Sequence, residues 1–332
     1  MIDLHLHLDG SLSIEDFKYL AKIQNFDLGN DFPNNIYVND DCRSLEEYLE
    51  RFDLPLCLLQ DSFSIEYATK SLVDRLYEKG FIYAEIRFAP QLHTQKGLSQ
   101  EDAVIAAIRG LKEGLKDKDK FNANLILCCM RQSNFETNLP AILLADKYRD
   151  QHVVTVDLAG PEAFHTGDYY IPLFEEAKKR NVNVIIHAGE ACGSSEVMIA
   201  INDLHAKRIG HGVHLELNKE NLNIIHKKDI AFEFCPTSNL QTTSLANYEA
   251  VPLKQFMDNN ICVTINSDNM TVSNTDVFKE FKHLNQTFNL LKDEVKQLLT
   301  NSIRASFTSL KEKQALLEEL DSKIDWFYSQ II

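Results

Sequence analysis

The feature that most constrains this chain is a repeated alternation of short apolar runs with segments of helical spacing. Each run is short enough for a strand buried on both faces, and helical segments recur between the runs. Parallel strands joined by helices are the expected arrangement, and eight such units close into a (β/α)8 barrel; an open doubly wound sheet is the alternative. The predicted strands span residues 2–8, 81–88, 122–130, 153–158, 182–187, 208–210, 231–234 and 261–265.

Segments outside this alternation add helices at both ends of the chain. The 332 residues exceed the roughly 250 that are typical of such a barrel. No repeat or linker divides the sequence, so residues 1–332 are expected to form a single domain. A polar stretch at residues 26–42 predicts a loop that could cover a site. The additional helices are predicted at residues 14–24, 44–59 and 64–79 near the N-terminus, and at 276–288, 292–307 and 309–329 at the C-terminus.

Composition limits the classes of partner. The formal net charge of −15 disfavours nucleic acid and anionic membranes, but it is compatible with a small neutral substrate. The first residues lack the regions of a signal peptide, and no run of about 18 apolar residues predicts a membrane span. Seven cysteines without CxxC spacing predict reduced thiols and a cytoplasmic location. Cys57, Cys128, Cys129 and Cys262 lie in apolar runs and are expected in the core.

Polar side chains collect at the carboxyl ends of the predicted strands. In a barrel of parallel strands these ends lie on one face and form the active site. Random placement would scatter the same residue types through the helices as well. The strand ends carry His5, His7 and Asp9 on the first strand, Asp157 and Gly160 on the fourth, His187 and Glu190 on the fifth, His211 on the sixth, and Ser267, Asp268 and Asn269 on the eighth.

Four of these residues form a plausible ligand set for one Zn²⁺ ion. His5 and His7 are two apart on a strand, so both imidazoles point to the same side. His187 and Asp268 at two other strand ends complete three nitrogen ligands and one oxygen ligand, a set that suits zinc and leaves a position for water. Taken alone, His187 could be a core histidine and Asp268 could cap a turn. Their joint position at one end of the barrel favours a metal site.

Two further residues could carry proton transfers beside such an ion. Zinc lowers the pKa of a bound water to about 7, which makes hydroxide available near neutral pH. His211 could act as a base or as an electrostatic partner for that water. Glu190 could protonate a substrate nitrogen if burial raises its pKa, although it could also be a carboxylate that stabilises a helix N-terminus.

Five motifs resemble the adenosine deaminase family within the metal-dependent amidohydrolases. They occur in the family's order, and the resemblance extends from residue 3 to about residue 280. It implies a (β/α)8 barrel that holds one zinc ion and catalyses the hydrolytic loss of ammonia from a 6-aminopurine. The motifs lie at residues 5–10, 157–160, 187–190, 208–212 and 266–268.

The resemblance also implies a role for each site residue. The implied zinc ligands are His5, His7, His187 and Asp268. His7 is also expected to contact the substrate. Glu190 is expected to protonate purine N1, and His211 to take up the proton of the attacking water. The backbone of Gly160 is expected to meet purine N3, and Asp9 to accept a hydrogen bond from the ribose 5′-hydroxyl. Binuclear relatives carry a carbamylated lysine after the fourth strand, where this chain has residues 157–160 without one, so a single metal is expected.

Three positions bear on the choice of substrate. Adenine deaminases typically carry glutamate where this chain has Asp9, so adenosine, and with it 2′-deoxyadenosine, is the expected substrate. Asn269 stands where many members have a second aspartate that contacts purine N7, and its amide could donate a hydrogen bond there. The serine at position 267 resembles the residue found at this position in adenine deaminases. Deamination of adenine or another 6-aminopurine is therefore the alternative, followed by a non-catalytic nucleoside-binding protein.

Overall fold

Eight parallel strands form the centre of the computed structural model, which describes residues 1–38, 42 and 44–332, with only the backbone described for residues 45 and 46. Each strand pairs with the next one along the chain, in the order β1 to β8. The neighbouring pairs are all parallel. The strands are β1 Ile2–His7, β2 Tyr83–Phe88, β3 Asn122–Met130, β4 Val153–Ala159, β5 Asn183–Ala188, β6 Arg208–His211, β7 Ala231–Phe234 and β8 Cys262–Ile265.

The sheet closes on itself just beyond the end of β8. Leu6 and Asp268 form a parallel bridge. The N–H of His7 donates to the carbonyl of Asp268 at 2.8 Å, and the N–H of Asp268 donates to the carbonyl of His5 at 2.8 Å. The strands therefore form a nearly closed (β/α)8 barrel, and the alternative of an open doubly wound sheet is wrong.

Helices surround the barrel, and most lie where sequence spacing predicts them. Ser13 caps α1 through a reciprocal pair of hydrogen bonds with Asp16. The long helices α13 and α14 follow β8, as expected for the C-terminal addition. The helices are α1 Ile14–Gln24, α2 Leu45–Leu49, α3 Asp53–Leu58, α4 Ser62–Glu78, α5 Gln100–Leu115, α6 Phe135–Lys147, α7 Ile171–Lys179, α8 Ser194–Asn202, α9 Lys219–Lys228, α10 Pro236–Gln241, α11 Leu253–Asp258, α12 Val277–Phe288, α13 Lys292–Ala305 and α14 Leu310–Ile331.

Two helical segments differ from the prediction. The single helix expected at residues 44–59 is divided into α2 and α3 by a 3-10 turn at Glu50–Phe52. The helix α10 was not predicted, because six residues are too few to show an apolar period. Its signal is Pro236 at the first position, where proline fixes a helical φ angle without losing a hydrogen bond.

A layer of buried charges lies inside the barrel beneath the site. Arg87 donates to Asp157 at 2.7 Å and to Glu233 at 2.8 Å. Arg208 is ion-paired with Glu85 at 2.6 Å and with Glu233 at 2.5 Å. All five side chains are at most 1% exposed. Removing one partner would leave an uncompensated buried charge, so this layer holds the strands in a fixed arrangement.

The predicted covering loop is only partly within the described residues. Its residues 39–41 lie outside them, and the described portion contains a 3-10 turn at Asn34–Ile36. The N–H of Val38 donates to the carbonyl of Val272 at 2.8 Å. Val38, Val272 and Tyr48 form a small apolar cluster, so the described end of this segment packs against the loop that follows β8.

The predicted core cysteines differ in their burial. Cys128 and Cys129 are buried as predicted, whereas Cys57 is exposed, so its assignment to the core is wrong. Cys57 lies on α3, where an apolar run in sequence still turns one side toward solvent. Cys262 is partly buried. None of the described helices is both long and apolar enough to cross a bilayer.

Candidate active site

The four predicted ligands meet at the carboxyl ends of the strands. Ligand atoms of His5, His7 and His187 all lie within 4.8 Å of one another. Oδ1 of Asp268 is 3.5 Å from Nε2 of His5 and 3.4 Å from Nε2 of His7. Nε2 of His5 is buried and has no hydrogen-bond partner among the described residues. An orphaned imidazole nitrogen among three other donor groups fits a metal ion.

Carboxylates orient two of these imidazoles from behind. Oε2 of Glu233 is 2.8 Å from Nδ1 of His5, and Oδ2 of Asp157 is 3.0 Å from Nδ1 of His187. Each carboxylate also forms an ion pair with the buried Arg87. A hydrogen on Nδ1 of each imidazole leaves the Nε2 lone pair directed at the centre of the cluster, as metal-binding histidines require.

The electrostatics of the cluster suit a cation. Burial lowers the pKa of His5, and lowers that of His7 further, so both imidazoles stay neutral. Burial also opposes a charge on His187, but Asp157 outweighs it and raises the pKa of His187. The effect of burial on Asp268 is likewise outweighed, because the neighbouring His5 and His7 hold its pKa well below the ordinary value. A metal ion would replace the proton on His187 and share the charge of Asp268.

A second set of donor atoms near His5 is less suited to a metal ion. Cys235 has its sulfur within 4.8 Å of ligand atoms of His5 and Asp268. Burial raises the pKa of Cys235 well above its ordinary value. The thiolate is the form that binds metals, so the three imidazoles and Asp268 are the better set.

Unusual backbone conformations occur at two strand ends of the site. His211 has a φ angle of 62° and Asp268 has a φ angle of 60°, in the left-handed region that side chains other than glycine rarely adopt. Such strain persists where the surrounding structure enforces it, and it is frequent at functional sites. Gly210, next to His211, leaves room for two of the imidazoles. A Cβ at this position would lie 3.1 Å from Cε1 of His5 and 3.2 Å from Cγ of His187.

Glu190 and His211 face each other beside the cluster. Oε2 of Glu190 is 3.6 Å from Nε2 of His211, and Oε1 accepts a hydrogen bond from Thr242 at 3.2 Å. Burial raises the pKa of Glu190, which favours the protonated form that an acid needs. Nδ2 of Asn239 donates to Nδ1 of His211 at 3.0 Å. With Nδ1 accepting, a neutral His211 carries its hydrogen on Nε2 and acts toward its neighbours as a donor.

A cavity of about 260 Å³ brings the remaining predicted residues together. Asp9, Gly160 and Asn269 line it together with His7 and Glu190. Much of the wall is apolar, as a flat aromatic ring requires. Among the residues that the structure describes, no lysine or arginine lines this cavity. The other lining residues are His187, Asp268, Tyr48, Leu49, Phe52, Asp53, Leu56, Ala89, Leu92, Cys128, Met130, Gln132, Ala159 and Pro161.

Several residues of the site were not found from the sequence. Glu233 stands between two phenylalanines in β7, and a charge in so short an apolar strand is a signal that could have identified it. Tyr48, Asn239 and Glu162 contact the site from loops or short helices, where no periodic pattern marks them. Gly189 is required by packing. A Cβ there would lie 2.5 Å from Cγ2 of Val197, so packing against α8 already requires a glycine.

Comparison with known proteins gives consistent matches over nearly the whole chain. The family model for adenosine deaminase matches residues 1–323. A Haemophilus ducreyi protein named adenosine deaminase is 44% identical over 340 residues, which cover 100% of this chain and 97% of that protein.

Solved structures share the fold. An adenine deaminase from Arthrobacter aurescens has a TM-score of 0.87 at 23% identity, covering 98% of both chains. The Arabidopsis protein ADAL, complexed with IMP, has a TM-score of 0.86 at 26% identity, covering 98% of this chain and 97% of that one. A cog1816 amidohydrolase from Burkhoderia ambifaria with bound Zn has a TM-score of 0.86 at 17% identity, covering 99% and 92%.

Proposed function

This chain belongs to the adenosine deaminase family. On that premise we propose that it catalyses the hydrolytic deamination of adenosine to inosine and ammonia, and of 2′-deoxyadenosine to 2′-deoxyinosine and ammonia. The observation that carries the proposal is that Glu190 lines the same cavity as His7, His187 and Asp268 of the ligand cluster. A purine ring in this cavity would have a proton donor and the ligand cluster within reach.

One zinc ion is the proposed cofactor. His5, His7, His187 and Asp268 would hold it, because their donor atoms converge and Nε2 of His5 has no other partner among the described residues. The bound Zn of the Burkhoderia ambifaria amidohydrolase agrees with this choice of metal. When bound, the ion would supply a water molecule acidic enough to act as a nucleophile near neutral pH.

The side chains divide the proton transfers of the reaction. Glu190, whose pKa is raised by burial, would donate its proton to purine N1 and so make C6 more electrophilic. Water adds at C6 and gives up both of its protons: one passes to the exocyclic amine as the C6–N bond breaks, and the other returns to Glu190 as the C6 hydroxyl becomes a carbonyl. His211 would hold the attacking water at Nε2 and pass its proton to the departing amine, which leaves as ammonia. For this role the imidazole hydrogen lies on Nδ1, with the Asn239 amide turned so that Oδ1, which has no partner among the described residues, accepts it. Gly160 and Asp9 would orient the base and the ribose, and such positioning lowers the barrier further.

The cavity favours a nucleoside over a nucleotide. Asp9 and Asp53 both line it, and a 5′-phosphate would meet these carboxylates without a compensating cation from the described lining residues. This differs from the IMP ligand that ADAL carries. Ser267 is buried and does not line the cavity, so its resemblance to the adenine deaminases carries little weight for substrate choice.

A side-by-side assay tests the proposal. Purified protein of measured zinc content is followed by ultraviolet absorbance with adenosine, 2′-deoxyadenosine, adenine and AMP. The two nucleosides should be turned over, with adenine and AMP slower by about 100-fold or more, since each loses or opposes a polar contact. Faster turnover of adenine would replace the nucleoside proposal with the alternative. Tight nucleoside binding by zinc-loaded protein without any turnover would indicate a binding protein. A cytoplasmic location and the lack of a nucleic-acid partner remain predictions from composition.

A further inference from the structure

A single carboxylate binds four consecutive backbone N–H groups of the loop between β5 and α8. Oε1 of Glu162 accepts from the N–H of Gly189 at 2.6 Å. Oε2 accepts from the N–H groups of Glu190 at 3.0 Å, Ala191 at 2.7 Å and Cys192 at 2.8 Å. Successive N–H groups that converge in this way form a cradle for an anion, and here the anion is a side chain of the same chain.

These hydrogen bonds are the means by which Glu162 is accommodated in the interior. Its side chain is 2% exposed, and among the described residues no lysine, arginine or histidine forms an ion pair with it. A buried carboxylate without a cation needs its oxygens fully hydrogen-bonded. The four N–H groups meet this need, so the carboxylate and the loop each determine where the other lies.

The loop cannot easily relax away from this carboxylate. Gly189 has a φ angle of 71°, and a Cβ there would lie 3.2 Å from Cα of Gly212, so the backbone is packed closely on that side. The N–H of His214 donates to the carbonyl of Gly189 at 3.1 Å. The loop is therefore held between Glu162 on one side and residues 212–214 on the other.

We propose that Glu162 is a positioning residue that fixes the proton donor Glu190 relative to the segment carrying Gly160. Glu162 lies two residues after Gly160, which lines the cavity, and it binds the N–H of Glu190 itself. One side chain thus sets the distance between the two loops that would contact N1 and N3, the ring nitrogens on either side of purine C2. This inference rests on the proposed deaminase function.

The variant Glu162→Gln tests the proposal. A glutamine has only one acceptor oxygen, so its NH2 group must face either the N–H of Gly189 or the three N–H groups of residues 190–192. We expect kcat for adenosine to fall about 100-fold, as misplacement of a reacting group by about 1 Å can cause, while KM changes less than threefold and zinc content is unchanged.

Glu196→Gln is the matched control. Glu196 is also buried, at 7% exposed, and its Oε2 accepts from a single N–H, that of Gly167, at 2.8 Å. The substitution makes the same change in charge close to the same loop, but an amide oxygen can retain the one hydrogen bond. Its kcat should stay within threefold of that of the unmodified protein.

Hydrogen exchange supplies a readout that does not depend on turnover. Amides of residues 189–192 should exchange about tenfold or more faster in Glu162→Gln than in the unmodified protein, and no faster in Glu196→Gln.

Unchanged exchange with unchanged kcat would overturn the proposal, as would a loss of kcat that merely follows a loss of zinc. If Glu162→Gln does not fold, Glu162→Asp keeps the charge and withdraws the oxygens by one methylene, and the same selective pattern is expected. If Glu162→Gln shows the predicted faster exchange but the unmodified protein deaminates none of the substrates, the proposed function fails while the role of Glu162 in holding the loop stands.

Discussion

The hydroxyl of Tyr48 accepts a hydrogen bond from Nδ2 of Asn269 at 2.8 Å, although 221 positions separate the two residues. The other hydrogen of the amide is donated to Oδ1 of Asp268 at 2.8 Å. Oδ1 of Asn269 has no partner among the described residues. Because the Asp268 carboxylate only accepts, it keeps the Nδ2 end of the amide on its side. Donation from Asn269 to purine N7 would therefore require exchange of one of these two bonds.

Removing the hydroxyl of Tyr48 should leave the side-chain amide of Asn269 less firmly positioned. In Tyr48→Phe, we expect KM for adenosine to rise about fivefold, which corresponds to one hydrogen bond of about 1 kcal/mol, with a smaller change in kcat. Steady-state kinetics on adenosine measure both constants. Tyr148→Phe is the control, because Tyr148 donates to Glu101 in α5, away from the cavity. Equal effects of the two substitutions would show that Tyr48 has no special part in substrate binding.

Glu190→Gln should abolish most turnover without loss of metal. A glutamine keeps the shape of the side chain but cannot deliver a proton to purine N1. The expected fall in kcat is about 100-fold to 10,000-fold, the range for general acid catalysis. Zinc content and the inhibition constant of inosine should stay close to those of the unmodified protein. A variant that retained more than about a tenth of the rate would remove Glu190 from the role of acid.

His187→Ala should lower the metal content. The substitution removes one of three converging imidazoles and leaves Asp157 without its histidine partner. We expect less than one zinc ion per chain after dialysis against buffer, measured by elemental analysis. His226→Ala is the control, since His226 is exposed on α9. Full occupancy in His187→Ala would exclude His187 from the ligand set.

Asp9→Ala should discriminate between two nucleosides. If Asp9 accepts a hydrogen bond from the ribose 5′-hydroxyl, kcat/KM for adenosine should fall about 10-fold to 100-fold, as expected for a hydrogen bond to a charged group. The loss with 5′-deoxyadenosine, which lacks this hydroxyl, should be within about threefold. Asp53→Asn changes another carboxylate of the same cavity and serves as the control. Equal losses on both substrates would contradict the contact.

Glu280 should make stability depend on pH. Its buried side chain accepts from the N–H of Thr237 at 3.1 Å and from the hydroxyl of Thr275 at 2.5 Å. Burial raises the pKa of Glu280 from 4.5 to about 7, and Asp276 adds to the shift. The raised pKa favours the folded state when Glu280 is protonated, so its contribution is complete below pH 4.5 and is lost as the pH rises through 7.

Denaturant unfolding at pH 6 and pH 8 measures this effect. Between these values, the free energy of unfolding should fall by about 1 kcal/mol more in the unmodified protein than in Glu280→Gln. Asp3, whose pKa burial raises to about 7, is present in both proteins and cancels in the comparison. Identical pH dependence in the two proteins would show that Glu280 does not titrate in this range.

The barrel and the convergence of the proposed ligands could be predicted because both follow from short-range patterns. Strand and helix periods predict the order of the elements, and the bounds of β3 and β7 agree with the sequence prediction to the residue. Parallel strands then place His5, His187 and Asp268 on one face without any knowledge of contacts. Polarity predicts the covering loop, and the described end of that segment packs against Val272 in the loop that follows β8.

The residues that hold the site in position could not be predicted in the same way. Glu162 reaches residues 27 to 30 positions away, and the bond from Asn269 to Tyr48 crosses most of the chain. Such contacts depend on how loops return over the barrel, and neither hydrophobic period nor local spacing records that path. Asn239, the hydrogen-bond partner of His211, lies on α10. This helix has six residues, which are too few to show a repeated apolar pattern.

The seam between β1 and β8 has a consequence for the order in which the protein is made. Asp268 is hydrogen-bonded through its backbone to both His5 and His7, so these two proposed ligands leave the ribosome long before the residue that holds them in place. Until β8 has been synthesised, the nascent chain cannot assemble the complete set or close the barrel. Binding of the proposed zinc ion by all four residues would therefore have to wait for β8 and the loop after it, and a translation product that ends before Asp268 would lack one of the four proposed ligands.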